Sequence, residues 1–460
     1  MTAASLAQDT GRRLAAAAGL NATLHWSQAL LDREAARLNA GLPGALSGTT
    51  VALKDNLVTL DHPTTCGSRI LEGYVSPFEG TAVRRLRAAG AMVAAKANLD
   101  EFAMGSSTEH SAFGRVLHPL DPERVPGGSS GGSAALVAAG VTTTALGSET
   151  GGSVRQPASF CGVVGIKPSY GRVSRFGLVA FGSSLDCIST FGRSTSEAAE
   201  LLCTISGEDP LDATTRAVPP LAMPPVRRDL RGMVVGLPRE YFPPDLHPGV
   251  RAGCDRAIAA LKRLGAEMRD VSLPHTRFAV PTYYIVNPAE AAANLARFDG
   301  VRYGSRQVGP EGDVRALYRA TRGAGFGPEV RRRILVGTFV LSAGYSDQYY
   351  TRAQAVRRLI IRDFDQVFGD GVDLLFTPTT PTPAFKAGEK TADPVQMYLA
   401  DIFVCPASLA GLPALSLPVG RDVGLPIGGQ LMAADFNEAA MLAAAMALET
   451  ELDPLAEVRP

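Results

Sequence analysis

The chain has 460 residues, of which 46% are hydrophobic and 20% are charged, a balance typical of a globular protein rather than a disordered or fibrous one. Lysine plus arginine equals aspartate plus glutamate at 45 each, so the formal net charge is zero. A protein that grips nucleic-acid phosphates by itself is expected to carry a basic excess. Any nucleic acid is therefore expected to be held mainly by another chain.

Six cysteines are scattered along the chain without C-x-x-C pairs, a usage that predicts neither a zinc site nor a disulfide framework. We therefore expect reduced thiols, no metal and a cytoplasmic protein. The N-terminal residues lack the basic start, apolar core and cleavage site of a secretory signal. The longest weakly polar stretches, near 134–147 and 440–448, fall short of the ~18 residues that a membrane span needs, so no membrane partner is expected.

Two helices are predicted at the start of the chain, over residues 3–18 and 22–40, because alanine and leucine recur there at helical spacing. Asn21 is the predicted N-cap of the second helix. Gly41 and Pro43 are expected to end that helix.

Strands and helices then alternate up to residue 167. Apolar runs predict strands at 49–53, 91–96, 142–147 and 162–167, and helices at 80–89 and from 131–133 onward. The first of these strands delivers Lys54 at its end. The alternation predicts an α/β fold with a parallel or mixed sheet that helices cover on both faces.

A segment rich in proline and charge, 207–232, is predicted to cross the molecule without regular structure. Beyond it, strands are predicted at 233–238, 267–272, 373–378, 414–419 and 424–433, and helices at 248–263, 310–320, 327–341, 346–367 and 436–449. No fixed-period repeat occurs. We predict one large domain over 1–460, made of N-terminal helices (1–45), a core (46–206), the crossing segment (207–232) and the rest of the sheet with a helical region (233–460).

Two glycine-serine clusters, GGSSGGSA at 127–134 and TGGSVRQPA at 150–158, are the strongest chemical signals. Ser130 fits the G-x-S-x-G nucleophile elbow, but the only histidines downstream, His247 and His275, both lie beside proline. The spacings of a phosphate cradle are missing. A glycine-rich turn that caps a helix is the third interpretation of the first cluster.

The second cluster offers successive backbone N–H groups around a hydroxyl, over Thr150, Gly151, Gly152 and Ser153. Such donors can form an oxyanion hole for a tetrahedral intermediate. A nucleophile at Ser153 needs a base, and without a suitable histidine the candidates are a carboxylate or a neutral lysine. Lys54 could serve if burial lowers its pKa by roughly three units, a cost of about 4 kcal/mol.

Three long motifs, VALKDNL (51–57), VPGGSSGGSAA (125–135) and the run from GSETGGSVRQPA to FGSSLD (147–186), resemble the amidase signature family. The resemblance implies that family's α/β fold, with a central mixed β-sheet covered by helices on both faces. It further implies a Ser-cisSer-Lys mechanism in which Ser153 is the nucleophile, Ser129 the bridging serine on a cis peptide, and Lys54 the base.

Further segments, at 98–114, 207–215, 281–304, 329–345 and 399–420, resemble one branch of that family, the glutamine-hydrolysing subunits of tRNA-dependent amidotransferases. The resemblance implies that glutamine is hydrolysed and that the ammonia passes to a partner subunit. That partner would bind ATP, Mg²⁺ and mischarged tRNA, and would amidate Glu-tRNA(Gln) or Asp-tRNA(Asn). Two further subunits, completing a heterotrimer, and no cofactor in this chain are also implied.

By position, the resemblance assigns glutamine's α-carboxylate to Arg333, with Arg332 the next candidate, and its α-ammonium to Asp401. A carboxylate is well matched by a guanidinium fork. Tyr284 is implied to line the same site. Two alternatives differ in these residues: a stand-alone amidase of small primary amides would not need the arginine and the aspartate, and a catalytically silent scaffold would be expected to lose a member of the triad.

Overall fold

The computed structural model describes residues 2–308, 312–391 and 393–452. Within these ranges the chain forms 14 α-helices and 11 strands, and all the strands belong to one sheet. The strands are β1 Thr23–His25, β2 Thr50–Lys54, β3 Met92–Ala97, β4 Thr144–Glu149, β5 Val164–Lys167, β6 Cys187–Gly192, β7 Val234–Pro238, β8 Glu267–Val271, β9 Leu374–Pro378, β10 Ala414–Asp422 and β11 Leu425–Ala433.

The helices fall between the strands along most of the chain. They are α1 Ala3–Ala16, α2 Gln28–Ala40, α3 Thr81–Ala88, α4 Gly131–Ala138, α5 Arg155–Cys161, α6 Thr195–Ile205, α7 Pro248–Arg263, α8 Ala279–Asn294, α9 Val314–Gly325, α10 Pro328–Val340, α11 Arg352–Gly369, α12 Pro394–Leu399, α13 Cys405–Ala410 and α14 Glu438–Leu452.

The sheet is mixed, as predicted. Its strand order is β1-β3-β2-β4-β6-β5-β10-β11-β9-β7-β8. The pairs β2–β3, β2–β4, β7–β8 and β7–β9 are parallel, and the other pairs are antiparallel. Because β2 and β4 are parallel neighbours, their carboxyl ends meet at one edge, and the residues that follow them come together there.

Alternate side chains of β2 enter two different cores, which shows that both faces of the sheet are covered. Val51 and Leu53 pack with apolar residues of α3 and α6 on one face, whereas Ala52 packs with residues of α1, α2 and α4 on the other. All five residues of β2 are buried. The expected α/β fold with helices on both faces is therefore confirmed.

The start of the second predicted helix is wrong. Residues 23–25 form β1, an edge strand paired with β3, and α2 begins at Gln28. Its N-cap is Ser27, whose hydroxyl accepts a hydrogen bond from Leu30 N–H at 3.2 Å. Asn21 instead adopts a left-handed conformation and donates its side-chain amide to two carbonyls of the loop at 113–115.

Five helices and two strands were not predicted: α5, α6, α8, α12, α13, β1 and β6. The helix predicted at 310–320 is found as α9, Val314–Gly325. Residues 310 and 311 of the predicted helix lie outside the described ranges. Residues 207–232 run as turns and extended chain, as expected. None of the helices in the described ranges is both long and apolar enough to cross a membrane.

Candidate active site

Lys54 is the last residue of β2, and its side chain reaches the first glycine-serine cluster. Its Nζ lies 2.8 Å from Ser129 Oγ, 2.8 Å from Ser130 Oγ and 3.2 Å from the carbonyl oxygen of Ser148 at the end of β4. The Gly128–Ser129 peptide is cis, as the family resemblance implied. The sheet edge at which β2 and β4 end therefore holds a lysine surrounded by hydroxyl and carbonyl oxygens.

Burial suits Lys54 to act as a base, because it lowers the pKa of the ammonium from 10.5 to about 7. Asp100, Asp186 and Glu149 oppose this shift, but no carboxylate lies within ion-pair distance of Lys54 in the described part of the chain. The adjacent Asp55 is paired with Lys96 at 2.8 Å, both side chains being fully buried. Lys54 therefore lacks the counter-ion that would keep it charged.

The three oxygens around Nζ define where the lone pair of a neutral Lys54 points. A neutral amine has two N–H donors, and the carbonyl of Ser148 can only accept. Ser130 Oγ donates to that same carbonyl at 3.2 Å, so its oxygen is free to accept from Nζ. Both N–H groups are then used, and the lone pair faces Ser129 Oγ. A neutral Lys54 held in this way is able to accept a proton from Ser129.

The second cluster joins β4 to α5 and lies against the first. The N–H of Ser130 donates to the carbonyl of Ser153 at 3.2 Å, and Thr150 Oγ1 donates to Asp186 at 2.8 Å. Ser153 is buried, with 8% exposure. Within the described residues, the backbone N–H groups of residues 150–153 donate no hydrogen bond. They are therefore available to a substrate oxygen.

Two glycines of the second cluster leave no room for a side chain. Gly152 has φ +137°, a conformation that L side chains rarely adopt, and a Cβ built on it would lie 2.2 Å from Val404 Cγ2. A Cβ on Gly151 would lie 2.6 Å from the ring of Tyr283. Glycine is therefore required at both positions, because the chain at 150–153 is pressed between α8 and the residues that precede α13.

Buried polar side chains of α5 fix this second cluster. Arg155 is paired with Glu149 and also donates to Gln430 Oε1 at 2.6 Å and to the carbonyl of Val404 at 2.7 Å. Gln156 links the two clusters, since its Oε1 accepts from Gly128 N–H at 2.9 Å. The residues that follow Ser153 thus form the first turn of a helix that is anchored on both sides.

The loop at 98–114 packs against the first cluster. Asp100 accepts from the backbone N–H groups of residues 107, 108 and 110 at 2.9–3.3 Å. A Cβ on Gly128 would lie 2.3 Å from Asp100 Oδ2. The carboxylate therefore lies directly beside the cis peptide, and only glycine leaves room for it.

Arg333 lies on α10 and is buried, with 3% exposure. Its Nε donates to Glu329 Oε1 at 2.7 Å, and across the described ranges its two Nη atoms make no ion pair or hydrogen bond. Its guanidinium carbon lies 5.3 Å from the centre of the Tyr284 ring. The neighbouring Arg332 side chain is 37% exposed and its fork already binds Glu329. Of the two candidates for binding a substrate carboxylate, Arg333 is the one whose two Nη atoms have no acceptor among the described residues.

Asp401 is the second charged group here. Its Oδ2 accepts from Ser106 Oγ at 2.5 Å, while its buried Oδ1 has no partner among the described residues. A Cβ on Gly152 would lie 3.5 Å from that Oδ1. Burial raises the pKa of Asp401 to about 7, and the Ser106 hydrogen bond and the Arg333 guanidinium partly oppose the rise. An unpaired carboxylate oxygen thus faces the second cluster.

Tyr284 stacks on Tyr398 with ring centres 3.4 Å apart, and both rings lie beside Arg333.

The structure therefore brings Lys54 and Ser129 together at the first cluster, and it brings the predicted substrate residues together beside the second cluster. It adds three groups that sequence reasoning missed: Ser130 on Lys54, Ser106 on Asp401, and the Tyr283 ring over Gly151. Ser106 lies in the motif at 98–114, which the resemblance had marked without assigning roles within it.

No group of three or more His, Cys, Asp or Glu side chains that could hold a metal ion occurs among the residues described. All six cysteines are unpaired.

Comparisons with known proteins agree with the motifs. The chain is 55% identical over 408 residues to the A subunit of the glutamyl-tRNA(Gln) amidotransferase of Carboxydothermus hydrogenoformans, covering 88% of this chain and 84% of that one. It is 51% identical over 460 residues to the protein of the same name from Koribacter versatilis, covering 98% and 95%.

Solved structures give the same result. The crystal structure of the A subunit of glutamyl-tRNA(Gln) amidotransferase from Thermotoga maritima is 44% identical, with a TM-score of 0.81, covering 97% of this chain and 90% of that one. The native peptide amidase of Stenotrophomonas maltophilia is 30% identical with a TM-score of 0.81, covering 98% and 94%. The family model described as Amidase matches residues 7–442. The chain is a member of the amidase family.

Proposed function

We propose that this chain hydrolyses glutamine to glutamate and ammonia, and that it does so as the amidase component of a tRNA-dependent amidotransferase. Lys54, Ser129 and Ser153 are the proposed catalytic residues. The backbone N–H groups of residues 150–153 would bind the oxyanion, and Arg333, Asp401 and Tyr284 would bind the substrate.

In the proposed reaction, Ser153 Oγ attacks the side-chain amide carbon of glutamine as its proton passes to Ser129, whose own proton passes to neutral Lys54. The lone pair directed at Ser129 by Ser130 and Ser148 supports this direction of transfer. The tetrahedral oxyanion would be stabilised by the N–H groups of the second cluster, which have no protein acceptor among the described residues.

Collapse of the tetrahedral intermediate breaks the C–N bond. The relay then runs in reverse, and the proton held on Lys54 reaches the leaving nitrogen through Ser129, which releases ammonia. Water then attacks the acyl-enzyme ester under the same base catalysis. The products are glutamate and free Ser153, so one glutamine and one water yield one glutamate and one ammonia.

The single observation that carries the choice of substrate is the pair of buried, incompletely used charges beside the second cluster. Arg333 has an unused guanidinium fork, and Asp401 has a buried Oδ1 without a partner in the described part of the chain. Leaving polar atoms of such buried groups without a hydrogen bond is costly. An α-amino acid supplies the carboxylate and the ammonium that would satisfy both, and glutamine also supplies the amide.

The proposed assembly is supported by the relatives at 51% and 55% identity, which are both named as the A subunit of a glutamyl-tRNA(Gln) amidotransferase. We propose two further subunits, one of which binds ATP, Mg²⁺ and the mischarged tRNA and uses the ammonia on Glu-tRNA(Gln) or Asp-tRNA(Asn). A net charge of zero agrees with a chain that does not grip tRNA alone. Six unpaired cysteines agree with work in the reducing cytoplasm.

The test is to purify the chain and measure ammonia and glutamate after adding glutamine, with acetamide, benzamide and a peptide amide as competing substrates. We expect glutamine to be strongly preferred, and Ser153→Ala to abolish turnover. The matched control is Ser133→Ala, a buried serine of the first cluster whose hydroxyl donates to the carbonyl of Leu146, away from Lys54. Equal turnover of unrelated amides would favour a stand-alone amidase instead.

A further inference from the structure

The N-terminus of α10 is capped by a carboxylate from a distant loop. Gly327, the N-cap residue of α10, has no side chain with which to cap the helix. Glu101 Oε2 accepts from Gly327 N–H at 2.9 Å, and Glu101 Oε1 accepts from Ser68 Oγ at 2.5 Å. Ser68 Oγ is also 3.1 Å from the carbonyl of Gly325. The side chains of Glu101 and Ser68, which lie far from α10 in the sequence, thus hold the segment 325–327 that leads into α10.

The fit between Glu101 and α10 is tight. A Cβ built on Gly327 would lie 2.3 Å from Glu101 Oε2, so the carboxylate occupies the space that any larger residue would need. Glu101 itself is buried, with 2% exposure, and no lysine or arginine within the described part of the chain lies at ion-pair distance from it. Burial raises its pKa to about 7, while the hydrogen bonds from Ser68 and Gly327 and the charge of Arg331 oppose the rise.

A buried carboxylate without an ion pair is costly and is therefore a candidate for a specific role. The dipole of α10 favours negative charge at this end of the helix. Glu101 also follows Asp100 directly, and Asp100 packs against Gly128 in the first cluster. Adjacent residues thus contact the cis peptide on one side and the start of the substrate-binding helix on the other.

Arg333 lies six residues beyond Gly327, about 9 Å along the axis of α10. The far end of the same helix is fixed differently: a Cβ on Gly337 would lie 1.9 Å from the carbonyl of Pro288 in α8. The first two turns are held by the contact at Glu101 and by Val330, which lies in a buried apolar cluster with Phe102 and Phe326. The contact at Glu101 is the polar part of this anchoring, and it fixes the end of the helix from which Arg333 projects.

We propose that Glu101 is a positioning residue for glutamine, holding the N-terminus of α10 so that Arg333 meets the α-carboxylate of the substrate. The inference rests on the proposed glutaminase function. It concerns binding rather than the chemical step, because the hydrogen bonds of Glu101 go to Ser68 and Gly327 and not to the triad.

The test compares Glu101→Gln with wild type on two substrates: glutamine, and 4-aminobutanamide, which is glutamine without its α-carboxylate. In the variant one carboxylate oxygen becomes an NH₂ group, which can only donate, so the side chain loses its negative charge and one of the two acceptor atoms that meet Ser68 and Gly327. We expect KM for glutamine to rise about five- to tenfold with kcat nearly unchanged, the effect of losing one hydrogen bond of ordinary net strength. KM for 4-aminobutanamide should stay at its wild-type value. Glu72→Gln, an exposed change on the same segment as Ser68, is the control.

A second variant guards against a folding defect. Gly327→Ala pushes a methyl group into the position of Glu101 Oε2, and should raise KM for glutamine selectively as well. In an Arg333→Lys background, Glu101→Gln should add little, because the two residues act on the same contact.

Equal increases in KM for both substrates, or a loss of kcat alone, would overturn the positioning role. A wild-type protein that turns over 4-aminobutanamide as well as glutamine would instead overturn the proposed function, so the two failures are distinguishable.

Discussion

Replacing Lys54 by methionine is expected to abolish turnover while making the protein more stable near neutral pH. The pKa of Lys54 is about 7 in the folded chain and 10.5 when unperturbed, a difference that corresponds to about 5 kcal/mol against burying the charged form. Between these two pH values the unfolded chain binds more protons than the native one. Stability contributed by Lys54 therefore rises with pH over this window.

The size of the effect follows from the same two pKa values. From pH 7.5 to 9.5 the Lys54 contribution should raise the free energy of unfolding of wild type by about 2–3 kcal/mol. Methionine lacks this dependence. At pH 7.5 the substitution removes the cost of burying Lys54, which stabilises the protein by about 4 kcal/mol. It also removes the hydrogen bonds of Lys54 to the hydroxyls of Ser129 and Ser130, and each loss destabilises the protein by about 1 kcal/mol. The net stabilisation should be about 2 kcal/mol.

Urea unfolding at pH 7.5 and 9.5 measures this difference. Ionisation of other groups, including the cysteines in the unfolded chain, is common to both proteins and cancels in the comparison. Lys386→Met is the matched control, because that side chain is 63% exposed and should leave the wild-type pH dependence intact. Parallel pH dependence in wild type and Lys54→Met would refute the argument, since it would mean that Lys54 stays charged in the native state at neutral pH.

Three further substitutions test the site. Arg333→Lys should lower kcat/KM for glutamine by about 30-fold or more, mainly through KM, because disrupting the buried pair between Arg333 and the α-carboxylate of glutamine costs about 2–5 kcal/mol. The control is Arg332→Lys, which should change kcat/KM less than about threefold because the Arg332 side chain is 37% exposed. Because burial raises the pKa of Asp401 to about 7, KM for glutamine should fall as pH rises from 6 to 8, and Asp401→Asn should remove that dependence. Ser130→Ala should lower kcat about tenfold, since the lone pair of Lys54 is no longer directed at its acceptor, and unchanged kcat would contradict that role. Steady-state ammonia release measures all three.

The strands that build the site could be predicted because their signals are local. Buried apolar runs placed β2 and β4 within one or two residues, and the end of β2 at Lys54 was correct. The missed elements depend on tertiary contacts. α8 contains Pro288 and a mixed apolar and polar face, and it is held by packing against α10 rather than by helix propensity. α13 has only six residues, too few for a periodic signal.

The site shows the same division. The serines and the lysine were recognisable because glycine-rich motifs mark backbone that must approach closely, and their spacing resembles a known family. Ser106 and Tyr283 were not assigned, because nothing in the local sequence reveals that they reach Asp401 and Gly151 from distant parts of the chain. Sequence reasoning considered Ser130 only as an alternative nucleophile, whereas its hydroxyl contacts Lys54 directly. Such roles follow only from three-dimensional distances.

The most direct test of the account is to find which serine carries the acyl group. Glutamine turnover is quenched in acid within the first turnover, the protein is digested, and the γ-glutamyl ester is located by peptide mass spectrometry. The account predicts the ester on Ser153 alone, and no ester in Ser153→Ala. An ester on Ser129 or Ser130, or its persistence in Ser153→Ala, would contradict the assignment of the nucleophile.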